Sequence, residues 1–143
     1  MNDKYFIDTN ILVYSFNKKD EQKQNISQKI INDALEYSNG IISFQVVQEF
    51  LNVALRKFSI PLTFEDCVKY LNIVLEPLCE ISPDMDLYRH ALQISERWRY
   101  SFYDSLIISA AIKGDCKILY SEDLQHKQSI GNLVILNPFI ELK

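Results

Sequence analysis

Short apolar runs of the strand type alternate with helical patterns along this chain, and that alternation constrains the fold more than any other feature. The strand-like runs cover residues 5–7, 41–43, 117–120 and 133–136, with a weaker run near 78–81. Helical patterns lie at 24–37, 46–58, 63–75 and 101–113, and Ser82-Pro83-Asp84 opens another, with Pro83 suited to its first position. Strands that alternate with helices predict βαβ crossovers, so we expect an α/β fold with a mostly parallel sheet.

The composition is typical of one globular domain and excludes several classes of function. All 143 residues fit a single domain (1–143), since domains most often contain about 100–150 residues. Three scattered glycines cannot form the glycine-rich loops that bind dinucleotides or nucleoside triphosphates. Three widely spaced cysteines without a C-x-x-C predict reduced thiols in a cytoplasmic protein, and no apolar run is long enough for a membrane helix. The net charge of -4 argues against binding nucleic acid by bulk attraction.

Four acidic residues stand where such a fold gathers functional groups. Asp8 follows the first strand-like run and Asp123 follows the 117–120 run, and sites in parallel sheets lie beyond the carboxyl ends of strands. Asp104 falls in the first turn of a very apolar helix, and Glu49 on the polar side of the 46–58 helix. Carboxylates without an accompanying set of His or Cys favour a hard cation, Mg²⁺ or Mn²⁺, that works on phosphate.

Each of these acids also has a purely structural explanation. Asp8 is suited to cap a helix, and Ser101 with Asp104 resembles a capping box. A single Glu on an amphipathic helix, such as Glu49, is usually solvated. The metal-site interpretation therefore depends on the four acids occurring together.

A basic and aromatic cluster precedes the third acid. Arg97-Trp98-Arg99-Tyr100 offers guanidinium groups that bind phosphate and rings that stack on unpaired bases. Core packing of Trp98 and snorkelling of the arginines explain the same residues equally well. We retain Arg97 and Arg99 as candidate RNA contacts, with Arg56 as a weaker one.

Taken together, the acidic segments resemble a PIN-domain protein, of the kind found in VapC-type toxin ribonucleases. The resemblance is carried by Phe6-Ile7-Asp8-Thr9-Asn10-Ile11-Leu12, Glu49 within a helix, Tyr103-Asp104-Ser105-Leu106-Ile107 and Ser121-Glu122-Asp123-Leu124. It implies a three-layer α/β/α fold with a central, mostly parallel sheet of about five strands. It also implies Mg²⁺- or Mn²⁺-dependent endonucleolytic cleavage of RNA, a cognate antitoxin and a homodimer.

The same resemblance implies roles for individual residues. It matches a metal-binding acidic quartet to Asp8, Glu49, Asp104 and Asp123. It matches Thr9 and Asn10 to the polar residues beside the first acid, where their side chains can hold a metal-bound water or a phosphate oxygen.

Two other functions stay open at this point. A phosphatase would use Asp8 as its nucleophile, but that chemistry usually requires a second acidic residue two positions later in the sequence, where this chain has Asn10. A PIN-like module that binds RNA or protein without cutting would not need all four acids. We therefore predict a metal-dependent endoribonuclease that acts as the toxin of a toxin–antitoxin pair.

Overall fold

The central element is a parallel sheet, seen in a computed structural model that describes residues 3–140. Within that range the strands are β1 (Tyr5–Ile7), β2 (Gly40–Ser43), β3 (Cys79–Ile81), β4 (Ile118–Tyr120), β5 (Ser129–Ile130) and β6 (Leu133–Leu136). They lie in the order β3-β2-β1-β4-β6-β5, and every neighbouring pair is parallel except β5 with β6. The prediction of a mostly parallel sheet is confirmed. The two-residue β5 was not predicted.

The helices are α1 (Thr9–Tyr14), α2 (Glu21–Tyr37), α3 (Phe44–Arg56), α4 (Phe64–Tyr70), α5 (Glu76–Leu78), α6 (Met85–Trp98) and α7 (Phe102–Lys113). They cover both faces of the sheet, which confirms the expected α/β architecture. The short α1 was not predicted. The predicted 63–75 helix is present but is not α-helical throughout, because α4 continues into a π-helical turn, Leu71–Leu75, which leads directly into α5. Pro83 does not take the first position of α6, because the Asp84 side chain caps that helix by accepting from the Leu87 N–H.

Burial follows the layered arrangement. The strand residues Phe6, Ile7, Ile42, Leu119 and Ile135 are fully buried. Helix α7 is buried continuously from Ser105 to Ala111 and packs against α6, so its middle is part of the core, whereas Tyr103 and Lys113 near its two ends are exposed. No helix within residues 3–140 has the length and apolar character to cross a membrane.

The sheet brings the ends of three chain segments to one edge. Tyr5, Phe6 and Ile7 pair in register with Ile118, Leu119 and Tyr120, so Asp8 and Ser121 leave the sheet side by side. Strand β2 lies on the other side of β1 and passes directly into α3. Because these strands are parallel, their carboxyl ends share this edge, where parallel sheets carry their sites.

Candidate active site

Asp8 is the most buried of the predicted site residues, with 8% of its surface exposed. It caps α1, and its Oδ1 accepts from the Thr9 N–H at 2.7 Å. Its Oδ2 accepts from the Ser121 hydroxyl at 2.8 Å. The pKa of this carboxyl is raised to about 7: burial is the largest cause, the Ser121 and Thr9 hydrogen bonds oppose the rise, and the charges of Glu49 and Asp123 add to it. Asp8 therefore caps a helix and also stands within a group of acids.

Glu49 is held toward Asp8 and does not extend freely into solvent. Its Oε1 accepts from the Thr9 hydroxyl at 2.6 Å, and its Oε2 accepts from the Gln45 amide at 3.1 Å. The Gln45 amide also donates to the Tyr103 carbonyl at 3.2 Å, which joins the start of α3 to the start of α7. Glu49 is therefore not a freely solvated residue on the polar face of α3, because Thr9 and Gln45 each donate a hydrogen bond to one of its two carboxylate oxygens.

Asn10 connects the first acid to the last. Its Nδ2 donates to Asp123 Oδ2 at 3.2 Å and lies 3.4 Å from Asp8 Oδ2, while its Oδ1 accepts from the Glu122 N–H at 3.2 Å. Glu122 turns to the opposite side, where it accepts from the Tyr14 hydroxyl at 2.5 Å and pairs with Lys23 Nζ at 2.6 Å. The exposed Asp123 is thus the acid of this loop that faces Asn10.

Asp104 lies in the first turn of α7 and is partly buried. Its N–H donates to the Ser101 hydroxyl at 3.1 Å, which is half of the predicted capping box. Burial is the main cause that raises the pKa of Asp104, the Ser101 hydrogen bond lowers it, and the charges of Asp123 and Glu49 raise it. Each of the four predicted acids therefore lies within electrostatic reach of two of the others, although they come from four separate segments of the chain.

The donor atoms of this group suit a hard divalent cation, because they are carboxylate, amide and hydroxyl oxygens. Within residues 3–140, however, no three acidic, His or Cys side chains are arranged to hold an ion in the conformation described. Like-charged carboxylates repel each other, and here neutral donors from Thr9, Asn10, Gln45 and Ser121 hold three of them. A bound cation would attract each carboxylate and so offset part of the repulsion between them. The residues therefore fit a metal ion whose binding would bring the acids closer together.

Two residues of the site were missed by sequence reasoning. Ser121 is fully buried, and its hydroxyl both donates to Asp8 and accepts from the Asp123 N–H at 3.2 Å. Gln45 orients Glu49. A sequence signal existed for Ser121, because a small polar residue directly after the 117–120 run occupies the same position as Asp8 after the first run.

The three candidate RNA contacts lie outside this acidic group. Arg56 is exposed at the last position of α3, two turns beyond Glu49. Arg97 and Arg99 are exposed at the end of α6, and the Arg97 guanidinium lies 5.2 Å from the centre of the Trp98 ring. Arg99 has a left-handed backbone conformation, with φ of 66°.

The PIN domain family model matches residues 5–129. Three solved structures share the fold. A toxin–antitoxin complex from Klebsiella pneumoniae has a TM-score of 0.65 at 16% identity, over 94% of this chain and 98% of that one. The VapC20 toxin of Mycobacterium tuberculosis, described as cleaving the sarcin–ricin loop, has a TM-score of 0.61 at 19% identity, over 84% and 90%. The VapBC2 complex from Rickettsia felis, bound to a DNA fragment from its promoter, has a TM-score of 0.60 at 24% identity, over 92% and 96%.

A search of curated protein sequences finds no match. The family match nevertheless covers most of the chain, including β1, α3, α7 and β4, which carry or precede the four acids. The predicted PIN-domain identity is therefore confirmed: the chain belongs to the PIN domain family.

Proposed function

We propose that this protein is an endoribonuclease that uses Mg²⁺ or Mn²⁺ and acts as the toxin of a toxin–antitoxin pair. The observation that carries the proposal is the buried Asp8 carboxylate, placed beside the charges of Glu49 and Asp123 at the carboxyl edge of the sheet. Burying an acid among other acids raises its free energy, which a metal-binding role explains and a purely structural cap does not.

The arrangement of the four acids supports different roles for them in catalysis. Asp8, Glu49, Asp104 and Asp123 would hold the metal, which polarises the scissile phosphate and lowers the pKa of a water molecule when bound. Both oxygens of Glu49 already accept hydrogen bonds, from Thr9 and Gln45. Asp104 is partly exposed with a raised pKa, so we assign it the orientation of the attacking water.

The related structures support the choice of substrate and partner. One neighbour is described as a toxin that cleaves the sarcin–ricin loop, and two others are toxin–antitoxin complexes. By analogy, we propose RNA as the substrate, a cognate antitoxin as the protein partner, a homodimer as the assembly and the cytoplasm as the location. Expression of this chain alone should then stop growth, and co-expression of a small reading frame beside its gene should restore it.

The deciding experiment is cleavage of a mixed RNA pool by the purified protein. Mg²⁺ or Mn²⁺ should support cutting, a chelator should stop it, and the new ends should lack a 2′,3′-cyclic phosphate because water is the nucleophile. Asp104→Asn should abolish cutting. Asp86→Asn, which changes an acid on α6 with 90% of its side chain exposed, is the matched control and should cut normally. RNA that binds but stays intact with either metal would instead identify a binding module.

A further inference from the structure

A large groove in the described part of the chain lies away from the acidic site, between α6 and the turn that joins β5 to β6. It has a volume of about 770 Å³ and is lined by His90, Arg97, Trp98, Lys117, Asn132 and Leu133, among others. We refer to it as the α6–β5 groove. Polar groups at its rim converge over an apolar floor that includes Ile94 and Ile130, the usual composition of a ligand site.

The charge of the α6–β5 groove favours an anion. Two cations line the groove, Arg97 and Lys117, and neither forms an ion pair with a carboxylate within residues 3–140. Asp115 is the one acid that lines the groove. Two free cations against one carboxylate leave a local excess of positive charge on a chain whose net charge is -4.

His90 adds a directed polar group. The Ser109 hydroxyl donates to the Leu87 carbonyl at 3.0 Å, so Ser109 Oγ serves as acceptor for His90 Nδ1 at 3.2 Å. The neutral imidazole therefore carries its proton on Nδ1, which leaves Nε2 free to accept from a ligand. With the partly buried indole of Trp98, the groove combines an aromatic ring, cations and a hydrogen-bond acceptor, the groups that recognise an unpaired nucleotide.

The groove is connected to the acidic site along both of its walls. Asp104 is six positions after Trp98, and Ile130 is seven positions after Asp123, so each pair lies within about 25 Å even if the chain is fully extended. Tyr100 joins the segment that follows α6 to the segment that precedes β5: its hydroxyl donates to the Gln128 side chain and accepts from the Gln125 N–H at 3.2 Å. We propose that the α6–β5 groove binds one unpaired nucleotide of the RNA, by stacking near Trp98 and phosphate contacts to Arg97 and Lys117, a few nucleotides from the cut.

Trp98 reports directly on this site, because it is the only tryptophan in the chain. We would titrate the protein with a short oligouridylate in EDTA, where metal-dependent cutting stops, and follow tryptophan fluorescence. Saturable quenching is expected. Lys117→Gln should weaken binding several-fold and lower the slope of log K against log salt by about 0.7, the value for one lost phosphate contact on a single strand. Lys69→Gln removes a charge with 65% exposure on α4 and should change neither.

Three results would overturn the proposal: no quenching by the oligouridylate, quenching that Lys117→Gln leaves unchanged, or tighter quenching by an oligoglutamate peptide, which would mark an acidic protein as the occupant. The inference rests on the proposed RNA cleavage, yet the two fail separately. Cutting by the metal-loaded protein with unresponsive Trp98 fluorescence would remove the groove assignment alone. Quenching by RNA without cutting would support the groove and remove the nuclease assignment alone.

Discussion

Replacing Asp8 with Asn should stabilise the metal-free protein, although it removes a site residue. Burial raises the pKa of Asp8 in the folded state to about 7, from an ordinary aspartate value of 3.8. Between those pH values the unfolded chain releases this proton while the folded chain keeps it, so stability falls as pH rises from about 4 to 7 and is then constant. Three pKa units correspond to about 4 kcal/mol, an upper bound because Asn changes the hydrogen bonds to Ser121 and Asn10.

Urea unfolding in EDTA measures this effect directly. At pH 8, Asp8→Asn should be more stable than wild type by about 2–4 kcal/mol. The difference should shrink to about 0.5 kcal/mol near pH 4, where the carboxyl is protonated in the folded state and about half protonated in the unfolded chain. Added Mg²⁺ should stabilise wild type more than the variant, because binding to the folded state alone is what stabilises. The exposed Asp86→Asn control should stay within about 0.5 kcal/mol of wild type. A variant that is no more stable at pH 8, or equally stabilised at pH 4, would refute the reasoning.

Three further substitutions test separate parts of the structure. Ser121→Ala removes the hydroxyl that joins Asp8 to Asp123, so Mg²⁺ affinity measured by calorimetry should fall about tenfold; unchanged affinity would contradict this. Arg99→Gly should raise urea stability by about 0.5–1 kcal/mol, because glycine adopts the φ of 66° without strain, and a loss of stability would count against it. Phe50→Ala empties a fully buried position against Tyr70 and should cost about 3–5 kcal/mol, with a cost below 1 inconsistent with the core described.

Local patterns in the sequence predicted the elements because each pattern reflects a local physical requirement. Apolar residues at 3.6 spacing must share a face, and short β-type runs bounded by polar residues form strands. The errors are local as well. The six residues of α1 were missed because Ile11, Leu12 and Val13 are apolar like the preceding strand, and the helix start depends on the Asp8 cap. Pro83 competed with Asp84 for the start of α6, where the hydrogen bond to the Leu87 N–H decided the boundary.

The sequence by itself determined the α/β class, the parallel sheet and the positions of Asp8 and Asp123 after strands. The fold class and the parallel sheet follow from the alternation of strands and helices, and the positions of the two acids follow from where the apolar strand-like runs end. Only the tertiary structure decided that Thr9 binds Glu49, 40 residues away, that Ser121 lies beneath Asp8, and that α6 and the β5–β6 turn enclose a groove. Such contacts depend on which strands become neighbours, and β1 pairs with β4, which is more than 100 residues away. The periodicity of apolar residues in the sequence indicates which face of a helix or strand is apolar, but it does not indicate which other element packs against that face.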